Sequence, residues 1–335
     1  MLTIQELESA CESSEPIVLP RHEIEAPELL LRTTYYPYGF PVEVRTNSEC
    51  VLEQMREIWG KFEKQHDTEP IRCDIQLVES DSTDCPPAPT SRIMLPLMIC
   101  VADANNYSIV DLEQCRTKIT ISRVALRHPL YAQYFLLGTA VCCVATRHTT
   151  GVHAGCVALA GRGVLLCGDS GAGKSTLSYA CARAGWTYVS DDGSFLLNGG
   201  TQRLVTGNCY QVRFRPSVTQ LFPELADLEI TPRAAGKPSI ELPTSQMTNI
   251  SRTPTVRVEY IVFLNRRAEG SPELAPYRKD VARQYMRQGL YGPAEIIAVQ
   301  HAAIERLLAA EVFELRYTEL DWAIDRLRAL VVEGR

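Results

Sequence analysis

The stretch Gly168-Asp-Ser-Gly-Ala-Gly-Lys174-Ser175 decides how this chain is read. It satisfies G-x-x-x-x-G-K-[ST] at every position. The chemistry behind that pattern is an anion cradle. Glycines let the backbone curl so that successive N–H groups point inward. A helix that starts where the loop ends turns its positive terminus toward the bound charge. Lys174 can reach terminal phosphates, and the Ser175 hydroxyl can ligate Mg²⁺. Gly168, Asp169, Ser170, Gly171, Ala172, Gly173, Lys174, Ser175 and Thr176 are therefore the expected nucleotide-binding residues, with ATP and Mg²⁺ as ligands.

The flanking sequence supplies the setting such a loop needs. Gly163 to Cys167 reads as a short apolar strand, Lys174 to Ala184 as a helix stopped by Gly185, and Thr187 to Asp191 as a second strand. Strand–helix–strand over about thirty residues predicts a βαβ unit with its two strands parallel and adjacent. Ser190-Asp191-Asp192 then falls at the carboxyl end of the second strand, on the edge that carries the loop. Two adjacent carboxylates there can divide the labour between a metal and a nucleophile's proton, although Asp-Asp-Gly is also an ordinary solvated turn.

Farther out, Val256 to Leu264 and Val312 to Tyr317 read as strands. Gly292-Pro293 opens one helix, and Thr318 with Asp321 forms a capping-box-like start to a last one. Upstream, Phe40–Thr46, Ile71–Val78, Ile93–Val101, Tyr107–Leu112 and Arg116–Ser122 read as strands, with a helix from Ser48 and an apolar helix over Pro129–Arg147. Asp81 to Ser91 is a surface loop. This organisation predicts an α/β chain divided near residue 125: a small α+β unit over 1–125 and a loop-bearing domain over 126–335.

Composition sets outer limits. With 335 residues the prior is about two domains. At 45% hydrophobic and 22% charged, the composition is that of a folded protein rather than a disordered or fibrous one. A net charge of −6 with no long basic run argues against nonspecific nucleic-acid binding. The start, from Met1 to Ala10, lacks the features of a signal peptide, and the longest apolar run, Tyr134 to Ala145, falls short of a bilayer span. No membrane partner and a cytoplasmic location are expected. The 12 cysteines include no C-x2-C pair and should be free thiols.

His153-Ala-Gly, the loop with its preceding strand, and Ala184-Gly-Trp-Thr-Tyr-Val-Ser-Asp-Asp together resemble the catalytic domain of HPr kinase/phosphorylase and its related kinases. The likeness is dense over about forty residues and looser toward Phe313-Glu-Leu-Arg-Tyr. It implies the phosphoenolpyruvate-carboxykinase-like P-loop fold and transfer of phosphate from ATP to a serine of a protein or peptide. It also implies that Asp191 takes the serine proton, that Asp192 sits with Ser175 near Mg²⁺, and that His153 lies close by. Metal and like charge pull the Asp191 pKa in opposite directions, and the residue is expected to be ionised at neutral pH.

Arg213 and Arg215 alternate on a predicted strand and could clamp phosphate oxygens, or be two surface arginines. Lys237, in Arg233-Ala-Ala-Gly-Lys237, could stabilise transferring charge, or belong to a solvated loop. Members of the family carry Glu where this chain has Thr176, and their Pro-Val-Arg-Pro-Gly-Arg signature does not occur here. A small-metabolite kinase and a nonenzymatic ATP sensor or docking module are the alternative readings. Homo-oligomerisation is compatible with all of them.

Overall fold

The computed structural model describes residues 28–231, 238–247, 249–267 and 269–334. Seven strands form the first sheet: β1 (Leu31–Tyr35), β2 (Val42–Thr46), β3 (Ile71–Val78), β4 (Thr90–Met94), β5 (Leu97–Asp103), β6 (Asn106–Asp111) and β7 (Arg116–Ser122). Their order is β1-β2-β3-β7-β6-β5-β4, with β2, β3 and β7 parallel and the other pairs antiparallel. Strict alternation puts Val42, Val44, Cys73, Ile75, Ile119 and Ile121 on one face. Helix α1 (Glu49–Trp59) lays Val51, Leu52, Met55 and Trp59 into the same core. Ser48 is its N-cap residue but makes no side-chain cap bond.

Two expectations in this region need correction. Ile93–Val101 is not one strand: it folds back at Leu95-Pro96 into the β4–β5 hairpin, because Pro96 has no N–H to give a ladder. The 129–147 run is helical but not one α-helix. It passes from Pro129–Tyr131 into a π segment, Ala132–Leu136, then a 3₁₀ segment, Leu137–Val141, then Cys142–Arg147. Gly138 and Thr139 sit at the irregularity, and the Thr139 hydroxyl bonds back to the Leu136 carbonyl at 2.5 Å. By length and mean hydropathy, 1.3, the 129–147 run would suffice to cross a membrane, which exceeds the dozen residues counted in sequence. Its Ala132, Leu136, Leu137, Ala140 and Cys143 are wholly buried in the first core, as in the core helix of a folded domain.

The second sheet holds β8 (Thr149–Val152), β9 (Ala154–Leu159), β10 (Arg162–Cys167), β11 (Thr187–Ser190), β12 (Ser194–Leu197) and β13 (Leu204–Gly207). A small antiparallel sheet follows, ordered β14-β16-β15 from β14 (Gln211–Phe214), β15 (Ile230–Thr231) and β16 (Ser239–Pro243). The second sheet is completed by β17 (Thr255–Arg266), β18 (Glu273–Pro276) and β19 (Glu311–Tyr317). Its order is β11-β9-β10-β17-β13-β12-β8, with β19 also on β17. Helices α2 (Lys174–Arg183), α3 (Lys279–Arg287), α4 (Ala294–Leu307) and α5 (Leu320–Glu333) pack around it. The chain is thus a mixed α/β protein with two mixed sheets.

The expected adjacency of the strands on either side of α2 is wrong. β9 lies between them, antiparallel to both β10 and β11. The reason is local: β9 and β10 close a hairpin over the two-residue turn Ala160–Gly161, where both residues have positive φ. The β10 edge that β11 would have taken is therefore already filled. β10, β17 and β19 run parallel, so their carboxyl ends share one edge. The last helix is also not capped by Thr318: its N-cap residue is Glu319, without a side-chain cap bond.

Candidate active site

The loop leaves β10 at Cys167 and enters α2 at Lys174. Gly168, Gly171 and Gly173 all have φ in the left-handed half of the map, at 150°, 95° and 98°. A side chain on Gly168 would bring its Cβ within 2.8 Å of the Ala172 Cβ, so the curl needs glycine there. Lys174 is almost fully buried, 4% exposed, and its ammonium folds back over the loop. It donates to the carbonyls of Gly168 at 2.8 Å and Asp169 at 3.2 Å, and it lies 2.9 Å from His153 Nε2. An ammonium has only donors, so this contact is a hydrogen bond when Nε2 carries no proton. The Asp192 carboxylate is 3.5 Å from Lys174 Nζ and 3.6 Å from His153 Nε2. His153, which sits between β8 and β9, thus contacts both Lys174 and Asp192.

Asp191 follows β11 directly. One of its oxygens accepts the Arg213 backbone N–H at 2.9 Å, while the Tyr188 hydroxyl donates to the Gln211 carbonyl at 2.9 Å. Burial, followed by the neighbouring Asp192 charge, pushes its pKa up to about 7, while the hydrogen bonds pull the other way. Desolvation thus dominates over the hydrogen bonds. The close approach of this segment to β9 depends on Gly155: a Cβ there would lie 2.9 Å from the Asp191 carbonyl oxygen and 2.5 Å from Ser178 Oγ.

Arg213 and Arg215 leave β14 toward the same cavity, whose volume is about 550 Å³. Arg215 reaches the loop itself, donating to Ser170 Oγ at 2.9 Å. Arg213 sits 5.5 Å over the Tyr134 ring, and the Tyr134 hydroxyl bonds Glu241 on β16 at 2.5 Å. Gly171, Lys174, Ser175, Thr176, Asp191 and Asp192 line the cavity with them. Lys237 lies outside the described residues.

The fold therefore gathers His153, the loop, Asp191, Asp192, Arg213 and Arg215 into one region. Two contributors have no sequence signal. Tyr134 comes from the helical run of the first core, and Tyr285 comes from α3. The Tyr285 hydroxyl is 2.8 Å from the Gly168 carbonyl, 3.0 Å from the His153 carbonyl and 3.2 Å from the Gly168 nitrogen, whose N–H it accepts. Only spatial proximity across 117 and 132 residues reveals it.

The residues present fit a nucleoside triphosphate with Mg²⁺. The glycine curl and the Lys174 ammonium suit phosphate oxygens. The Ser175 hydroxyl and the half-exposed Asp192 carboxylate suit a cation that takes one or two protein ligands and fills its other positions from phosphate and water. Among the described residues, no three His, Cys, Asp or Glu side chains cluster into an all-protein metal cage.

No family model matches the chain. No curated protein is similar to it. Among solved structures, it is similar to the Hpr(Ser) kinase/phosphatase from Coxiella burnetii at 17% identity and a TM-score of 0.29, over 55% of this chain and 99% of that one.

Proposed function

We propose that the chain is an ATP-dependent phosphotransferase that moves a terminal phosphoryl group onto a hydroxyl, with a serine of a protein or peptide as the acceptor class. The observation that carries this reading is the Asp191 carboxyl: it shares one cavity with the phosphate loop and is held there by the Arg213 backbone N–H. A carboxyl beside the phosphates can orient an acceptor hydroxyl and take its proton, which supports transfer to a hydroxyl. The catalytic unit on this reading is residues 126–335, working in the cytoplasm on a protein or peptide partner.

Lys174 and the loop N–H groups hold the phosphates and neutralise charge as it moves. Bound Mg²⁺ would be held by Ser175 and Asp192 and would supply further charge neutralisation. The acceptor oxygen forms a bond to the terminal phosphorus as the bridging P–O bond to ADP breaks. The hydroxyl proton passes to Asp191, which orients the hydroxyl beforehand. His153 keeps Lys174 and Asp192 in register, and Arg213 and Arg215 contact phosphate oxygens from the opposite wall.

The test is a pair of variants measured for ATP binding and for label transfer from γ-labelled ATP to serine-containing candidates. Lys174→Ala should lose binding or turnover. Asp191→Asn should bind Mg-ATP and lose transfer by roughly 10²-fold or more. An Asp191→Asn protein that transfers at the native rate removes Asp191 from the reaction.

A further inference from the structure

A second cavity, of about 480 Å³, lies beside the phosphate site, and Leu221 and Arg266 line both. The two cavities therefore adjoin at these two residues. The second is floored by Ala180 on α2 and by Ala184, the residue that caps the C-terminus of that helix. Phe222 and Ile324 close its sides, with Leu221 39% exposed at the junction. Small residues at 180 and 184 leave the α2 surface open where a larger side chain would cover it. The Arg183 guanidinium is not free to fill the space, being stacked 5.5 Å over the Phe222 ring and paired with Glu224.

The rim has the opposite character. Glu319 and Asp321, at the start of α5, line it with exposed carboxylates. Among the described residues neither makes an ion pair. This rim follows β19, and Arg266 ends β17, so the cavity opens at the carboxyl edge of the parallel strands, the edge that carries the phosphate loop. Six residues along α2 separate Lys174 from Ala180, about 9 Å at the helical rise, a span that an α-phosphate and ribose can bridge.

We propose that this second cavity seats the nucleoside of the phosphoryl donor. The base lies against Ala180, Ala184, Leu221 and Ile324, and the sugar hydroxyls face the Glu319 and Asp321 carboxylates, which can only accept hydrogen bonds when ionised. The inference rests on the phosphotransferase reading for the identity of the donor, and it adds the source of nucleoside affinity. Apolar walls with a few polar groups at the edge are the usual make-up of a small-molecule site.

The experiment compares ATP with inorganic tripolyphosphate, each with Mg²⁺, by calorimetry on the full chain. The native protein should bind ATP about tenfold or more tighter than tripolyphosphate. Ala184→Leu, which fills the floor, should weaken ATP by about tenfold and leave tripolyphosphate within about twofold. Ala184→Met is the gentler filler if the leucine variant has an altered urea midpoint, and it should act in the same direction. Unchanged ATP affinity in a folded filler variant, or equal losses for both ligands, overturns the nucleoside seat. Native protein that binds both ligands equally overturns the seat but leaves the phosphate loop standing. Native protein that binds neither overturns the loop reading, and the seat falls with it.

Discussion

The Tyr285 hydroxyl, the Gly155 Cα and the Lys174 ammonium show what one residue can and cannot announce in a sequence. Lys174 announces itself, because its partners, Gly168 and Asp169, are six and five residues away and the motif prints them together. Tyr285 does not, since α3 must first dock before its hydroxyl meets Gly168 and the His153 carbonyl. That docking is fixed by Arg283 and Arg287 on Glu305 of α4, and by Lys279 on the Leu308 carbonyl. Removing one hydroxyl bond of this kind costs on the order of 1 kcal/mol. Tyr285→Phe should therefore leave the fold intact and weaken ATP binding severalfold, as read by an ATP titration against the native protein. Gly155→Ala should act on stability instead. Its Cβ would press on a backbone oxygen at 2.9 Å, which cannot swing aside, and on the Ser178 hydroxyl at 2.5 Å. A loss of about 1–3 kcal/mol in urea unfolding is expected.

At the scale of elements, periodicity located strands well and neighbours poorly. β3 and β7 have the bounds that alternation predicts, because half-buried strands record their buried face in the residues themselves. The order β11-β9-β10 is not recorded that way. It depends on which partner reaches the β10 edge first, and the short hairpin through Ala160–Gly161 wins over the longer return through α2. The join between the two sheets is another element without a sequence signal. Phe40 stacks between His66, at 4.1 Å, and His148, at 4.6 Å. Burial, with help from Arg147 and then His66, holds the His148 pKa down at about 4 from 6.5, and burial lowers His66 too. A lowered histidine means that the unfolded chain binds more protons between those two values, so stability falls as pH drops from about 6.5 toward 4. The effect by pH 5 is about 1–2 kcal/mol after allowing for partial solvent contact. Urea midpoints at pH 7 and pH 5 should show it, and His148→Gln should flatten the slope. An unchanged slope in that variant would put the acid sensitivity elsewhere.

On the scale of the whole molecule, composition foretold free thiols, and the eleven cysteines among the described residues are all unpaired. Thiol titration of the denatured, unreduced chain should return close to 12 groups. How the two sheets depend on each other is less legible, because a change in composition marks where patterns alter rather than where contacts end. The first core takes Leu126, Leu136, Leu137, Ala140 and Val144 from the segment after residue 125, and Leu197 from β12 of the second sheet. Tyr134, in that same segment, holds Glu241 and faces Arg213 at the site. The division near 125 can therefore be tested by its cost. A fragment of residues 126–335 would carry the 129–147 run without the sheet that buries it, uncovering an apolar surface far larger than scattered exposed leucines. Each fully buried leucine left in water forfeits about 1.5–3 kcal/mol, and Leu136 and Leu137 alone would consume much of a typical domain's 5–15 kcal/mol. The fragment should bind an apolar dye, aggregate on concentration and melt without a cooperative transition, while the full chain melts cooperatively. A monomeric 126–335 fragment that unfolds cooperatively and binds ATP as the full chain does would establish that the loop-bearing part of the chain stands alone.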